Sequence, residues 1–410
     1  MRADDHHEAI PRAEKAERRR LTMLCVRQYR HFAPRLVRSL NLATEPGRTL
    51  RVTGACPNLV VRTNMETYQA TVDATAADGT AIGDANLELW AHAESGGDLM
   101  VAVPGSCAAA TVSVPASFNV CIAMDGACEA DVQGWLEGTV DVSVDEGNVG
   151  VGTVRGLHTR VRTGRGDVSI KHVEGNVDVL AGGGGSVSLG KILAQDVKVA
   201  ASGMLKCTAL YSKVLDVTAE DGLLSSVLSS EAGTLRLGGT SSLDSAEGEL
   251  RIALAAECEG LTVQAIEGLR KLHVYATAAS AAQDQSPLPP CIMVHLPENF
   301  RAAAEIEAAA LHIDDRIEVA RGSAAAAPTD GSSSSSSSSA EMSIELVQIG
   351  LGGKTDSRGA RRREPPPPCD ICVRAARSEV TLKQMSWMEQ RMKASLEAKA
   401  QAGESKRGAF

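Results

Sequence analysis

Between Gly138 and Leu237 the chain falls into short segments that open on glycine and then alternate apolar and polar residues. One series reads Gly147-Asn-Val-Gly-Val151, Gly166-Asp-Val-Ser-Ile170, Gly185-Ser-Val-Ser-Leu189 and Gly203-Met-Leu-Lys-Cys207. Its glycines lie 19, 19 and 18 residues apart, and Gly222 follows after another 19. A second series runs between them: Gly138-Thr-Val-Asp-Val142, Gly175-Asn-Val-Asp-Val179, Asp196-Val-Lys-Val199 and Gly233-Thr-Leu-Arg-Leu237. Strict alternation marks a strand with one buried face, and glycine can take the positive φ of a tight corner. Two strands per fixed period imply stacked coils, because a single coil cannot bury its own apolar face. The pattern therefore predicts an all-β fold, a β-solenoid (β-helix-like) with about 19 residues per coil. Its core is expected to hold Val140, Val142, Val149, Val151, Val168, Ile170, Val177, Val179, Val187, Leu189, Val197, Val199, Leu205 and Leu235.

The same style extends outward. Short alternating runs at 49–53, 59–63, 68–74, 85–91 and 99–103 are separated by turns rich in Gly, Asp and Pro. Beyond Leu237 the period loosens, but Gly248-Glu-Leu-Arg-Ile252 and Leu272-His-Val-Tyr275 keep it, so residues 49–320 read as one β domain. Residues 321–340, with a run of eight serines, read as a disordered insertion, and 341–349 as one further strand. Residues 350–376 are basic and Pro-rich, the composition of a linker. From 377 to 402 the spacing changes: Met385, Met388, Met392 and Leu396 recur at 3, 4 and 4, behind Thr381-Leu-Lys-Gln384, which resembles a capping box. This predicts a C-terminal amphipathic helix, whose methionine stripe packs on its own domain or docks in a partner's groove.

Residues 1–48 differ from the rest. No acidic residue occurs from Arg18 to Thr44, while seven arginines do, and Leu24, Tyr29, Phe32, Leu36 and Leu40 can share one side of a helix. That is the composition of an organelle transit peptide, with the mitochondrial matrix the expected destination. Another organelle, or a basic tail on a cytoplasmic protein, fits the same composition, and either Met1 or Met23 can be the start.

Charge and cysteine usage narrow the classes. The net charge of −9 disfavours a nucleic-acid binder, which carries a basic domain. No apolar run reaches the roughly 20 residues that cross a bilayer. The ten cysteines are scattered, unlike a secreted disulfide framework. Gly185-x-x-x-x-Gly190-Lys191 lacks the Ser/Thr of a phosphate loop and alternates as a strand. Cys369-x-x-Cys372 is the one weak metal candidate, and it lacks a second ligand pair. No catalytic residue and no cofactor is expected.

The outward positions bear on activity. In the second series they are Asp141, Arg160, Asp178, Lys198, Asp216 and Arg236, alternating in sign. Strands about 4.8 Å apart would place each charge between two opposite ones, a stabilising ladder rather than a carboxylate pair. In the first series they are Gly150, Ser169, Ser188, Lys206 and Ser225, a small, hydroxylated face suited to contact.

Alternating Gly-x-Val-x-Val segments at this period resemble the putative-adhesin family, a domain of unknown function with a β-solenoid fold. Val114-Pro-Ala-Ser-Phe-Asn-Val120 and Leu205-Lys-Cys-Thr-Ala-Leu-Tyr211 are similar to its uncharacterised eukaryotic, mitochondrial-type members. The resemblance covers residues 50–320 and implies a fold, with no catalytic residues to carry over. The expected function is a non-catalytic scaffold that binds unknown protein partners through Ser169, Ser188, Lys206, Ser225 and the C-terminal Met385, Met388, Met392 and Leu396. The alternative is a carbohydrate-active β-helix lyase or hydrolase, which would gather two or more carboxylates in one groove.

Overall fold

The computed structural model describes residues 42–43, 47–64, 69–76, 90–93, 98–105, 107–264, 266, 268–276, 290–297, 301–317, 319–324, 340–347, 369–385 and 389. The elements among them are β-strands, and Glu389 is helical. Residues 149–155, 168–174, 187–193 and 205–211 pair side by side in parallel, with Val149, Val168, Val187 and Leu205 in register. Residues 140–146, 158–163, 177–181, 196–201 and 214–219 form a second parallel row. The long strands Val149–Arg165, Val168–Ala181, Leu205–Ala219 and Leu223–Leu237 run through both rows, so the rows belong to one sheet wound around one core.

Period-2 alternation sends every second side chain into that core. All fourteen residues expected there are buried. In the second row the inward positions stack as an aliphatic column: Val52, Ile122, Val142, Val161, Val179, Val199, Val217, Leu235, Ile252, Val274, Val373 and Ile306. Each is 1% exposed or less, and burial of such a side chain contributes about 1.5–3 kcal/mol. Gly166 shows why the corners are glycine. Its φ is 135°, and a Cβ there would strike the carbonyl oxygen of Gly147 in the rung below.

The order of rungs departs from the order of the chain at both ends. Residues 49–64 lie between 99–115 and 119–136. At the other end Cys369–Met385 pairs in parallel with 271–275 and 291–297 on one side and with 302–313 on the other. Antiparallel strands cover what remains: Gln69–Ala76 and Trp90–Ala93 at one end, Ala340–Val347 and then Val319–Ala324 at the other. A bare parallel edge would expose a row of unpaired N–H and C=O groups to any passing strand, and these hairpin strands stop it.

This arrangement corrects the reading of the C-terminal region. Residues 369–376 are strand rather than linker, and 377–385 are strand rather than helix. Ile371, Val373, Ala375, Val380 and Leu382 point inward, and Asp370, Arg374, Glu379 and Lys383 outward. Over 377–385 this alternation prevails, and two open sheet edges supply the backbone partners that a helix would have found within itself. Met385 ends the strand, and Met388, Met392 and Leu396 lie outside the described residues. So do residues 1–41 and 325–339, which hold most of the basic segment read over 1–48 and of the insertion read over 321–340, while 321–324 are strand rather than insertion and 341–347 belong to Ala340–Val347.

Candidate binding groove

Where each turn leaves the first row and enters the second, the chain rounds a corner built of small residues. Gly175 has φ 142°, and a Cβ there would meet the carbonyl oxygen of Gly156. Gly248, at φ 90°, faces the carbonyl oxygen of Ser230 in the same way. Close stacking thus removes side chains at the corner, and their absence leaves a trough. The trough has a volume of about 820 Å³ and is lined from residues 156–157, 175–176, 193–195, 211–212, 229–231, 247–248, 268 and 270. These come from seven successive turns, so at about 4.8 Å per rung it runs roughly 30 Å across the strands.

Its polar lining is hydroxyl and amide: Asn176, Gln195, Ser212, Ser229 and Ser230. Asn176 Oδ1 accepts from the Asp196 N–H at 3.2 Å. Ser212 donates to Ser230 at 3.3 Å, and Ser230 donates to the Lys213 carbonyl at 3.4 Å. Leu157 and Tyr211 supply apolar surface, Leu157 being 86% exposed. Glu231 and Glu247, on neighbouring rungs, stand toward one end with Arg270 beyond them.

A charged cluster flanks the other end. The Arg155 guanidinium lies 4.4 Å from the centre of the Trp135 ring and pairs with Glu174 at 3.2 Å, and His172 meets the same carboxylate at 3.1 Å. The hydrogen bond from His172, aided by Arg155, holds the Glu174 carboxyl below its usual range.

The structure sorts the residues picked from sequence. Gly150, Ser169, Ser188 and Lys206 stand in register, the last three exposed. Ser225 does not continue their row. The turn from Leu205 to Leu223 is 18 residues, like the one before it and one fewer than the spacing from Lys206 to Ser225, so Leu224 takes the outer place and Ser225 is buried. Ser225 faces the thiol of Cys207, its partner in register, and burial pushes that thiol up to about 12 although the hydrogen bond with Ser225 works the other way. In the charge row Asp141, Arg160, Asp178, Lys198 and Asp216 are successive partners, but Arg236 stands opposite Thr218. It reaches Asp216 diagonally at 3.5 Å.

The Cys369/Cys372 pair cannot act together. Three residues apart on a strand, they point to opposite faces, Cys369 into the core and Cys372 outward. Burial pushes the Cys369 thiol up to about 12. No cluster of metal-ligating side chains occurs among the described residues. The groove residues escaped the sequence reading, although the corner glycines that create the trough, Gly156, Gly175 and Gly248, stood at its period.

No known family model matches the chain, and no curated protein does. Among solved structures it is similar to a putative cell adhesion protein from Clostridium sporogenes ATCC 15579, at 9% identity over 86% of this chain and 100% of that one. The TM-score is 0.15, too low for the likeness to carry an argument.

Proposed function

We propose that the wound parallel sheet is a β-solenoid, and that it serves as a non-catalytic, adhesin-like scaffold that binds a ligand in its corner groove. The observation that carries this reading is the groove itself: about 820 Å³, open along seven turns and lined by hydroxyls, amides, Tyr211 and Leu157. The Ser169, Ser188 and Lys206 row offers a secondary contact face. The test is retention of soluble extract components on the immobilised full-length protein. Gln195→Trp, which fills the groove, is expected to abolish retention that Ser188→Trp leaves intact; equal retention on both variants would refute the groove as the contact surface.

A second reading rests on Glu231 and Glu247, which line the groove from neighbouring rungs. Two carboxylates in one trough are what a carbohydrate-active enzyme needs. Release of new reducing ends or unsaturated products from a polysaccharide, lost in Glu231→Gln and Glu247→Gln, would favour that reading over the scaffold.

A further inference from the structure

The groove crosses the strands, and this restricts what can lie in it. Backbone groups at the corner are already spent between rungs: Ala194 N–H donates to the Tyr211 carbonyl at 3.0 Å, and Lys213 and Val214 N–H donate to the Gln195 carbonyl at 3.0 and 2.9 Å. No sheet edge opens into the trough, so a polypeptide cannot bind there by adding a strand. A chain lying in it must carry a backbone that needs no ladder, and must be read by side chains. Polyproline II meets that condition, since it is extended and has no internal hydrogen bonds.

The dimensions agree. Polyproline II repeats after three residues at about 3.1 Å each, or about 9.3 Å, while two rungs span about 9.6 Å. Equivalent ligand residues would therefore meet alternate rungs in nearly the same geometry. Leu157 and Tyr211 offer apolar contacts for proline rings, and Asn176, Gln195 and Ser212 can hydrogen-bond the carbonyls that such a helix leaves free. Glu231 and Glu247, with Arg270 beyond them, leave that end of the groove with one negative charge in excess, which suits a cationic side chain. An extended glycan also crosses rungs, but it seldom carries a cation, and Tyr211 is the single aromatic ring among the lining residues.

Resting on the groove reading above, we propose that the groove takes a basic, proline-rich segment of a partner protein in the polyproline II conformation. The experiment is titration of the full-length protein with an acetylated (Pro-Pro-Arg)4 peptide, with (Pro-Pro-Glu)4 and a neutral soluble polysaccharide in parallel. It is run on the wild type and on a chain with Arg361, Arg362 and Arg363 changed to alanine, because residues 361–368 (Arg-Arg-Arg-Glu and four prolines) could otherwise compete. The arginine peptide is expected to saturate one site and the glutamate peptide to show no binding. Glu231→Gln with Glu247→Gln should weaken binding about ten-fold, the loss of two exposed charge pairs, and flatten its salt dependence. Tyr211→Ala should weaken it without changing that dependence. Equal binding of the two peptides, undiminished binding to Gln195→Trp, or binding of the polysaccharide alone would overturn the proposal. If both peptides fail while Gln195→Trp still blocks retention from extract, the ligand class is wrong and the groove reading survives.

Discussion

Asp178 sits where the outer charge row is densest, and its replacement shows how much that row contributes. The carboxylate accepts from Arg160 Nε at 3.2 Å and from Arg162 Nη2 at 3.4 Å, both on the preceding turn, and faces Lys198 in register on the next. Its side chain is 22% exposed, those of Arg160 and Arg162 40% and 32%, so solvent screens all three. At about 0.2–1 kcal/mol for each exposed pair, Asp178→Asn should cost about 1 kcal/mol. Asp178→Lys loses the same contacts and sets a fourth positive charge among Arg160, Arg162 and Lys198. At about 5 Å and near-aqueous dielectric each of the three new repulsions adds roughly 0.8 kcal/mol, so with the lost contacts the total is about 3–3.5 kcal/mol. For a β domain of this size a change of 1 kcal/mol moves Tm by about 2–4 °C, which separates the two variants in thermal melts followed by circular dichroism. Raising the salt from 0.1 M to 1 M shortens the screening length from about 10 Å to about 3 Å and should close most of the gap. Adding Lys198→Glu to Asp178→Lys should recover part of the loss, a coupling that a double-mutant cycle reads directly. Equal melting temperatures for Asp178→Asn and Asp178→Lys at low salt would refute the reasoning, because the charges would then not sense one another across the rungs.

Further outcomes follow from the same packing. Gly175→Ala, which forces a Cβ toward the Gly156 carbonyl at φ 142°, should cost about 2–4 kcal/mol in chemical denaturation, whereas Gly47→Ala, with open space around it and only its φ of 78° to strain it, should cost less. Leu382→Ala should destabilise by about 2–5 kcal/mol because Leu382 is fully buried in an internal rung; a loss below 0.5 kcal/mol would mean that the C-terminal strand is not part of the core. The lowered carboxyl of Glu174 gives stability that is present above its ordinary value of 4.5 and is lost as pH falls through the lower folded value. Glu174→Gln should therefore melt below wild type at neutral pH, with the difference vanishing in strong acid. Alkylation at pH 8 followed by mass spectrometry should modify exposed Cys291 in the native protein, and Cys207 and Cys369 only after unfolding, since burial pushes both of those thiols up to about 12.

What the sequence determined by itself is the local repeat. Alternation along a strand is set by backbone geometry, so Val149, Val168 and Val187 could be placed in the core without any partner strand in view. A corner that admits only glycine leaves its mark at every turn, as at Gly147 and Gly166. The outer rows could be followed for as long as the period held, through Ser169, Ser188 and Lys206, and from Asp141 to Asp216. They were lost where the register departed from the period: a one-residue slip turned Ser225 inward, and a two-residue slip set Arg236 opposite Thr218 while leaving it on the outer face. The tertiary structure alone decided the rest. Cys369–Met385 is a strand because open edges on either side of it complete its hydrogen bonds, a nonlocal condition that helical spacing at its end could not reveal. The groove belongs to no segment: Gly156, Asn176, Gln195, Tyr211, Glu231, Glu247 and Arg270 meet only because the rungs stack, and the hollow between them is what close backbone contact leaves when the corner can hold no side chain.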